Sequence, residues 1–173
     1  MATLRVGKCY RNTTRPFTRR SKVKAKSYIK TIPPSKIVRF EMGNIKDKFE
    51  YEVNLVSQDR MQIRHNALES ARMVVNRQLQ IRLGNNYYLQ LKAYPHHVLR
   101  ENKMLSGAHA DRLQTGMAHS FGRSVGLAAQ VEKGKIIFTA KVNKDALEIA
   151  KAALKTATPR IPCRCIIDVK KIS

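Results

Sequence analysis

No Asp or Glu stands before Glu41, yet Arg5, Lys8, Arg11, Arg15, Arg19, Arg20, Lys22, Lys24, Lys26, Lys30, Lys36 and Arg39 all do. Like charges repel, and a compact fold that gathered them would be destabilised by its own field, so this stretch cannot be the packed interior of a lone domain. It calls for an external polyanion, and nucleic acid is the best candidate. The rest of the chain keeps the bias: 34 Lys and Arg face 12 Asp and Glu, a formal charge of +22, beyond what solubility asks of a small domain. With six to ten such cations on phosphates, counterion release would make affinity fall by roughly 10³–10⁵ between about 50 and 200 mM salt.

The sequence divides into a basic arm, residues 1–35, that closes on Pro33-Pro34, and a single domain, residues 36–173, whose long loop spans 102–126. A hydrophobic content of 43% is enough for a real core in a chain of this length. No apolar run approaches the roughly 18 residues that span a bilayer, and no apolar signal stretch follows the basic N-terminus. The expectation is a soluble cytoplasmic protein with no membrane partner. Tyr10, Phe17 and Tyr28 are scattered among the arm cations, where they can stack on unpaired bases or anchor the arm to the domain. Both readings stay open.

Periodicity then sets the fold class. Val38, Phe40 and Met42 alternate, as do Phe49, Tyr51, Val53 and Leu55, which predicts two strands. From about Arg64 to Leu79 the spacing turns helical, with Ala67, Leu68, Ala71, Val74, Val75 and Leu79 on one side and Gly84 a little beyond. Tyr87, Leu89, Leu91 and Ala93 alternate again, Pro95 interrupts, and His97 to Arg100 continue extended. Leu127 to Val131, a turn at Lys133-Gly134 and Ile136 to Val142 predict a hairpin. Asn143 suits the N-cap of a second helix carrying Leu147, Ala150 and Leu154, with Pro159 past its end, and a last strand runs from about Arg164 to Lys170. The order predicts an α+β fold, an antiparallel or mixed sheet sandwich packed with two main helices.

Several chemistries can be set aside. Cys9, Cys163 and Cys165 are too few for finger-like zinc spacing and odd in number for a disulfide framework, so Cys163 and Cys165 read as core thiols on one strand face. Adjacent His96 and His97 point apart if extended, and His109 and His119 stand in the loop with no matched ligand cluster. A triad from Ser106, His109 and Asp111 lacks a rigid buried site. Gly116 to Ser124 misses the phosphate-loop pattern in spacing and in its lysine. No cofactor, no metal and no enzyme activity are expected. The first helix carries Arg72, Arg77 and Arg82, divided between RNA contact and solvation.

The loop is the other anomaly. Gly107, Gly116, Gly122 and Gly126 fall in or at the end of it, beside Met104, Leu105, Leu113, Met117 and Phe121. A connection that long is usually functional, and glycines allow close approach of backbone to a ligand. Here the sequence closely resembles the archaeal and eukaryotic large-subunit ribosomal protein ten-e family, counterpart of bacterial large-subunit ribosomal protein sixteen. The resemblance covers nearly the whole chain. It rests on Cys9-Tyr10-Arg11, on Ala67-Leu68-Glu69-Ser70-Ala71-Arg72, on Pro95-His96-His97-Val98-Leu99-Arg100 leading into Lys103-Met104-Leu105-Ser106, and above all on Ala110-Asp111-Arg112-Leu113-Gln114-Thr115-Gly116-Met117. The Ala- and Lys-rich second helix and short C-terminus look archaeal. The chain departs from eukaryotic relatives at Gly107, His109 and Ala118-His119-Ser120.

The resemblance implies a hammerhead-like sandwich that binds large-subunit ribosomal RNA and brings its loop near transfer RNA at the peptidyl transferase centre. Neighbouring ribosomal proteins are further partners, and no homo-oligomer is expected. The implied RNA-contact set is Arg5, Lys8, Tyr10, Arg11, Arg15, Arg19, Arg20, Lys22, Lys24, Lys26, Lys30, Arg72 and Arg100. The implied loop set is Lys103, Met104, Leu105, Ser106, Gly107, Asp111, Arg112, Gln114, Thr115, Gly116, Met117, Phe121 and Gly122. Cations of the arm would hold phosphates and register rather than read bases. On charge alone, a nucleic-acid-binding regulator outside the ribosome is the rival reading.

Overall fold

The computed structural model describes residues 5–13, 23–26, 29–102 and 122–172. The loop candidates from Lys103 to Phe121, and Arg15, Arg19, Arg20 and Lys22 of the arm, lie outside the described residues. Among the described residues eight strands and two α-helices follow one another: β1 (Glu41–Gly43), β2 (Tyr51–Ser57), β3 (Met61–Arg64), α1 (His65–Leu83), β4 (Tyr88–Leu91), β5 (His97–Glu101), β6 (Arg123–Val131), β7 (Ile136–Val142), α2 (Leu147–Lys155) and β8 (Cys165–Lys171). The strands form a five-stranded sheet in the order β1-β4-β7-β2-β8 and a three-stranded sheet in the order β3-β6-β5. All registered pairs are antiparallel. The α+β class expected from periodicity is the one the chain adopts.

One expectation needs correction. The strands Leu127–Val131 and Ile136–Val142 exist, but they do not pair with each other as a hairpin. β6 lies in the three-stranded sheet and β7 in the five-stranded sheet. The strands that face them make the same crossing: β2 pairs with β7 from Tyr51↔Val142 to Val56↔Ile136, and β3 pairs with β6 from Met61↔Val131 to Arg64↔Ala128. Thus β2–β3 and β6–β7 are the two sides of one antiparallel ribbon, bent where it passes between sheets. At the bend the Lys135 N–H donates to the Glu132 carbonyl (3.1 Å), while Gly134 N–H donates to the Ser57 carbonyl (2.7 Å) and Ser57 N–H to the Lys135 carbonyl (3.0 Å). Gly134 sits at φ 82, as a sharp turn requires. A tight turn and a sharp corner carry the same local signal, and only the distant partner Ser57 distinguishes them.

Two strand boundaries also move. Of the alternating run at 38–42 only Glu41–Gly43 is strand, and Val38 is 76% exposed. Pairing of β1 with β4 begins at Glu41↔Gln90 and ends at Gly43. There φ is +83 and an added Cβ would fall 2.1 Å from the Tyr87 carbonyl oxygen, so only glycine fits. Strand β3 was not expected, because Gln62 and Arg64 break the apolar pattern. The first helix runs one turn beyond Leu79 and ends at Gly84, whose N–H donates to the Gln80 carbonyl at 3.0 Å. Asn143 opens the second helical segment through its carbonyl, which accepts from the Ala146 N–H (3.1 Å), while its side chain makes no cap bond.

The core joins both sheets to both helices. Val53, Leu55, Leu89, Phe138 and Ala140 of the large sheet, Ile63 of the small one, Leu68, Val75 and Leu79 of α1, and Ala150 and Leu154 of α2 belong to a single apolar cluster. Burial of such side chains supplies about 1.5–3 kcal/mol each before entropy is subtracted. In the middle of β2 and β7 alternation fails, since Val53, Asn54 and Leu55, and Ile137 to Ala140, are all fully buried. The strands are covered on both faces there. The polar pair this encloses is joined by the Thr139 hydroxyl, which donates to Asn54 Oδ1 at 2.6 Å, while Asn54 Nδ2 is buried with no hydrogen-bond partner among the described residues.

Candidate nucleic-acid interface

The free edge of β3 is where the basic N-terminal segment docks. Gln62 donates its N–H to the Arg11 carbonyl and its side-chain amide to the Tyr10 carbonyl, each at 2.9 Å. Arg64 Nη1 donates to the Arg5 carbonyl at 2.9 Å. The segment therefore covers an edge strand that would otherwise offer unpaired backbone groups. Between these bonds the chain makes a 3₁₀ turn, Gly7–Tyr10. The Tyr10 hydroxyl donates to Glu101 Oε2 on β5 (3.2 Å), and the Arg64 guanidinium lies 5.6 Å from its ring centroid. Burial, and then the Glu101 carboxylate, hold the Tyr10 hydroxyl above its ordinary pKa. Of the two readings of the arm aromatics, Tyr10 is an anchor.

This docking leaves the charges outward. The side chains of Arg5, Lys8 and Arg11 are exposed, as are those of Lys26 and Lys30, and Lys24 begins a short 3₁₀ turn, Lys24–Lys26. The domain grips the arm by backbone carbonyls and one aromatic hydroxyl, which the Arg5 side chain also meets, while the side chains of Lys8 and Arg11 stay exposed. Arg77 and Arg82 are likewise exposed on α1.

Arg72 has a different position from the one expected of an RNA contact. It is 9% exposed, with Nε donating to Glu69 Oε2 (2.8 Å), Nη2 to Glu69 Oε1 (2.5 Å) and Nη1 to Met42 Sδ (2.9 Å). Its donors face inward, so it fastens β1 to α1. Arg100 is half-buried on β5, just beyond the irregularity between Leu99 and Arg100 in the ladder with β6. That ladder closes at Glu101↔Arg123, which sets these two residues, one before and one after the 103–121 segment, side by side. Gly122, at φ 104, would put a Cβ 2.8 Å from the Glu101 backbone. The glycine at that end of the loop is a steric necessity of the close approach.

Sequence reasoning missed a second cationic feature. Lys92, Tyr94 and His96 are exposed and alternate with buried Leu91, Ala93 and Pro95. Tyr94 stacks on Phe40 (centroids 5.2 Å, 22° between planes), and His96 lies over Tyr94 at 4.4 Å. They border a cleft of about 410 Å³ that also involves Thr13, Arg60, Gln130, Glu132 and Lys135. Lys92 reaches Glu52 at 3.6 Å, while Arg60 and Lys135 are exposed on its rim. Cations beside stacked rings can hold a phosphate and a base together. The signal was present as the outward half of an alternation whose inward half, Leu91 and Ala93, was read.

His65, at the start of α1, accepts from the Lys36 N–H through Nδ1 (3.3 Å). Burial first, then Lys36 and Arg64, lower its pKa, so it stays neutral as a packing group near Gly126. Among the described residues no group of three or more His, Cys, Asp or Glu is placed to hold a metal ion, and no helix is long and apolar enough to cross a membrane.

The chain is 44% identical to large ribosomal subunit protein uL16 of Sulfolobus acidocaldarius over 98% of its own length and 96% of that protein. It is 46% identical to the protein of the same name in Staphylothermus marinus over 98% and 95%, and 45% identical to that of Saccharolobus islandicus over 96% and 92%. The family model described as ribosomal protein L16p/L10e matches residues 13–168, and the chain belongs to that family.

Proposed function

We propose that this chain is a structural constituent of the large ribosomal subunit, and that it binds large-subunit ribosomal RNA through its basic arm and outward cations. In this reading, loop 103–122 reaches toward the peptidyl transferase centre and helps to position transfer RNA, while RNA carries out the peptide-bond chemistry. The site is cytoplasmic and ribosome-associated, with neighbouring ribosomal proteins as further partners. The observation that carries the reading is the mode of arm docking: the domain holds residues 5–13 by their carbonyls and leaves Arg5, Lys8 and Arg11 exposed. That geometry suits phosphate contact, which fixes register without reading sequence.

Sedimentation tests the assignment. In a lysate the protein is expected to travel with the large subunit and to remain there through a high-salt wash. Free migration after the wash, with RNA binding retained in the purified protein, would favour a regulator acting outside the ribosome.

The loop is tested by removing Ser106 to Ser120. Because β5 and β6 already bring residues 101 and 123 together, the deletion shortens a connection between paired residues, and the thermal midpoint and RNA affinity are expected to hold. Translation by subunits carrying it should slow by roughly ten- to a hundredfold, the scale of effect that misplacement of a reactant produces. Wild-type elongation by the deletant would remove the loop from the mechanism.

A further inference from the structure

Cys163 and Cys165 come together where the chain leaves a bend and enters β8. Two rises of an extended strand separate alternate residues by about 6.6 Å, yet the two Sγ atoms are 3.4 Å apart. The bend at Cys163 is what closes the gap. A disulfide needs about 2.05 Å between sulfurs, a distance that small rotations about the side-chain bonds can supply.

We propose that Cys163 and Cys165 form a peroxide-reactive dithiol that closes to an intrachain disulfide, a modification site independent of the RNA-binding reading. The division of labour follows from the hydrogen bond between them. The hydrogen-bond contact between the two sulfurs draws the pKa of Cys163 below the ordinary thiol value, and the same contact and burial raise that of Cys165. Cys163 is thus the more acidic of the pair and the one that reacts first, and Cys165 is the thiol held for the second step. Cys163 is 6% exposed and Cys165 is half-exposed, which suits a small oxidant such as hydrogen peroxide.

In the first step the Cys163 thiolate attacks one peroxide oxygen. The S–O bond forms as the O–O bond breaks, and the departing hydroxide takes a proton from solvent as water, leaving a sulfenic acid. In the second, Cys165 sulfur attacks Cys163 sulfur, the S–O bond breaks, and hydroxide leaves with the Cys165 proton as a second water. Two thiols lose two electrons and one peroxide gains them.

The bridge would act on the corner of the ribbon. Arg164, the residue between the cysteines, donates its N–H to Asp59 Oδ2 (3.0 Å) and accepts at its carbonyl from the Gln58 N–H (2.9 Å). A ring closed around Arg164 changes the torsions of the peptide that pins the β2–β3 corner.

The test uses the full-length chain with Cys9→Ala, which removes the exposed third thiol. After brief treatment with stoichiometric hydrogen peroxide, intact mass should fall by two hydrogens, alkylatable thiols should drop from two to none, and dithiothreitol should restore both. Amide exchange at Gln58 and Arg164 should quicken in the oxidised form. With Cys165→Ser added, the product should instead carry one oxygen on Cys163; circular dichroism of this variant and of Cys163→Ser establishes that each is folded. Persistence of two alkylatable thiols, or oxygen addition without loss of hydrogens when both cysteines are present, would overturn the proposal.

Discussion

Glu69→Ala is expected to lower stability by about 3–5 kcal/mol, the range for removing one partner of a buried ion pair and leaving the other uncompensated. In a domain of this size that is a fall in thermal midpoint of about 10 °C. Arg72 and Glu69 are each 9% exposed, and the fork between them has two bonds. The pair also holds the segment that leads out of the arm: the Val38 N–H donates to Glu69 and Arg72 reaches Met42. Without Glu69, the guanidinium has only a thioether in place of a carboxylate. Glu69→Gln keeps an acceptor oxygen and should lose less.

The same pair fixes a pH dependence. The Arg72 hydrogen bond, assisted by its charge and by the Val38 N–H and opposed by burial, holds the Glu69 carboxyl below its ordinary pKa. A depressed folded pKa means that its contribution is fully present above the unfolded value of about 4.3 and is lost as pH falls through the folded one. Acid titration of stability in the wild type should therefore show a steeper loss below about pH 4.3 than in Glu69→Gln. A change at neutral pH under about 1 kcal/mol for Glu69→Ala would mean that water, not the carboxylate, satisfies Arg72.

Arg72 also shows what the sequence could have told. Leu68, Arg72, Val75 and Leu79 share one stripe of α1, so the position lay among buried ones, and Glu69 stood three residues away as a partner. Charge type suggested a surface, while spacing pointed to the interior. Strand β4 was legible because its two faces differ, Leu89 and Leu91 buried against half-buried Tyr88 and Gln90. Strand β3 was not, because Gln62 and Arg64 break its alternation and what holds it is distant in sequence, β6 on one side and the carbonyls of Tyr10 and Arg11, some fifty positions earlier, on the other. The ribbon corner was misread for the same reason, since Lys133-Gly134 states that the chain turns but not which strand receives it. Local chemistry carries element type, and pairing depends on contacts that no short window holds.

Replacing Arg5, Lys8 and Arg11 together by Ala is expected to reduce the slope of log affinity against log salt for large-subunit ribosomal RNA by about 3, one for each phosphate contact. Between about 50 and 200 mM salt the variant would then lose roughly forty-fold less affinity than the wild type, although its affinity is lower at every point. The substitutions leave the bonds to β3 in place, because β3 holds this segment through the carbonyls of Arg5, Tyr10 and Arg11, and they remove only the Arg5 side-chain contact to the Tyr10 hydroxyl, which keeps its bond to Glu101. Melting curves should therefore overlay. Tyr94→Ala supplies the contrast: if a base stacks beside the Phe40–Tyr94–His96 column, affinity falls by about 1–3 kcal/mol with the slope unchanged, since no charge is removed. Tyr10→Phe, which deletes the bond to Glu101, should leave the slope intact and quicken amide exchange across residues 5–13. If the triple variant kept the full salt slope, the exposed cations would not be reaching phosphates, and an arm free of carboxylates would have lost its physical explanation.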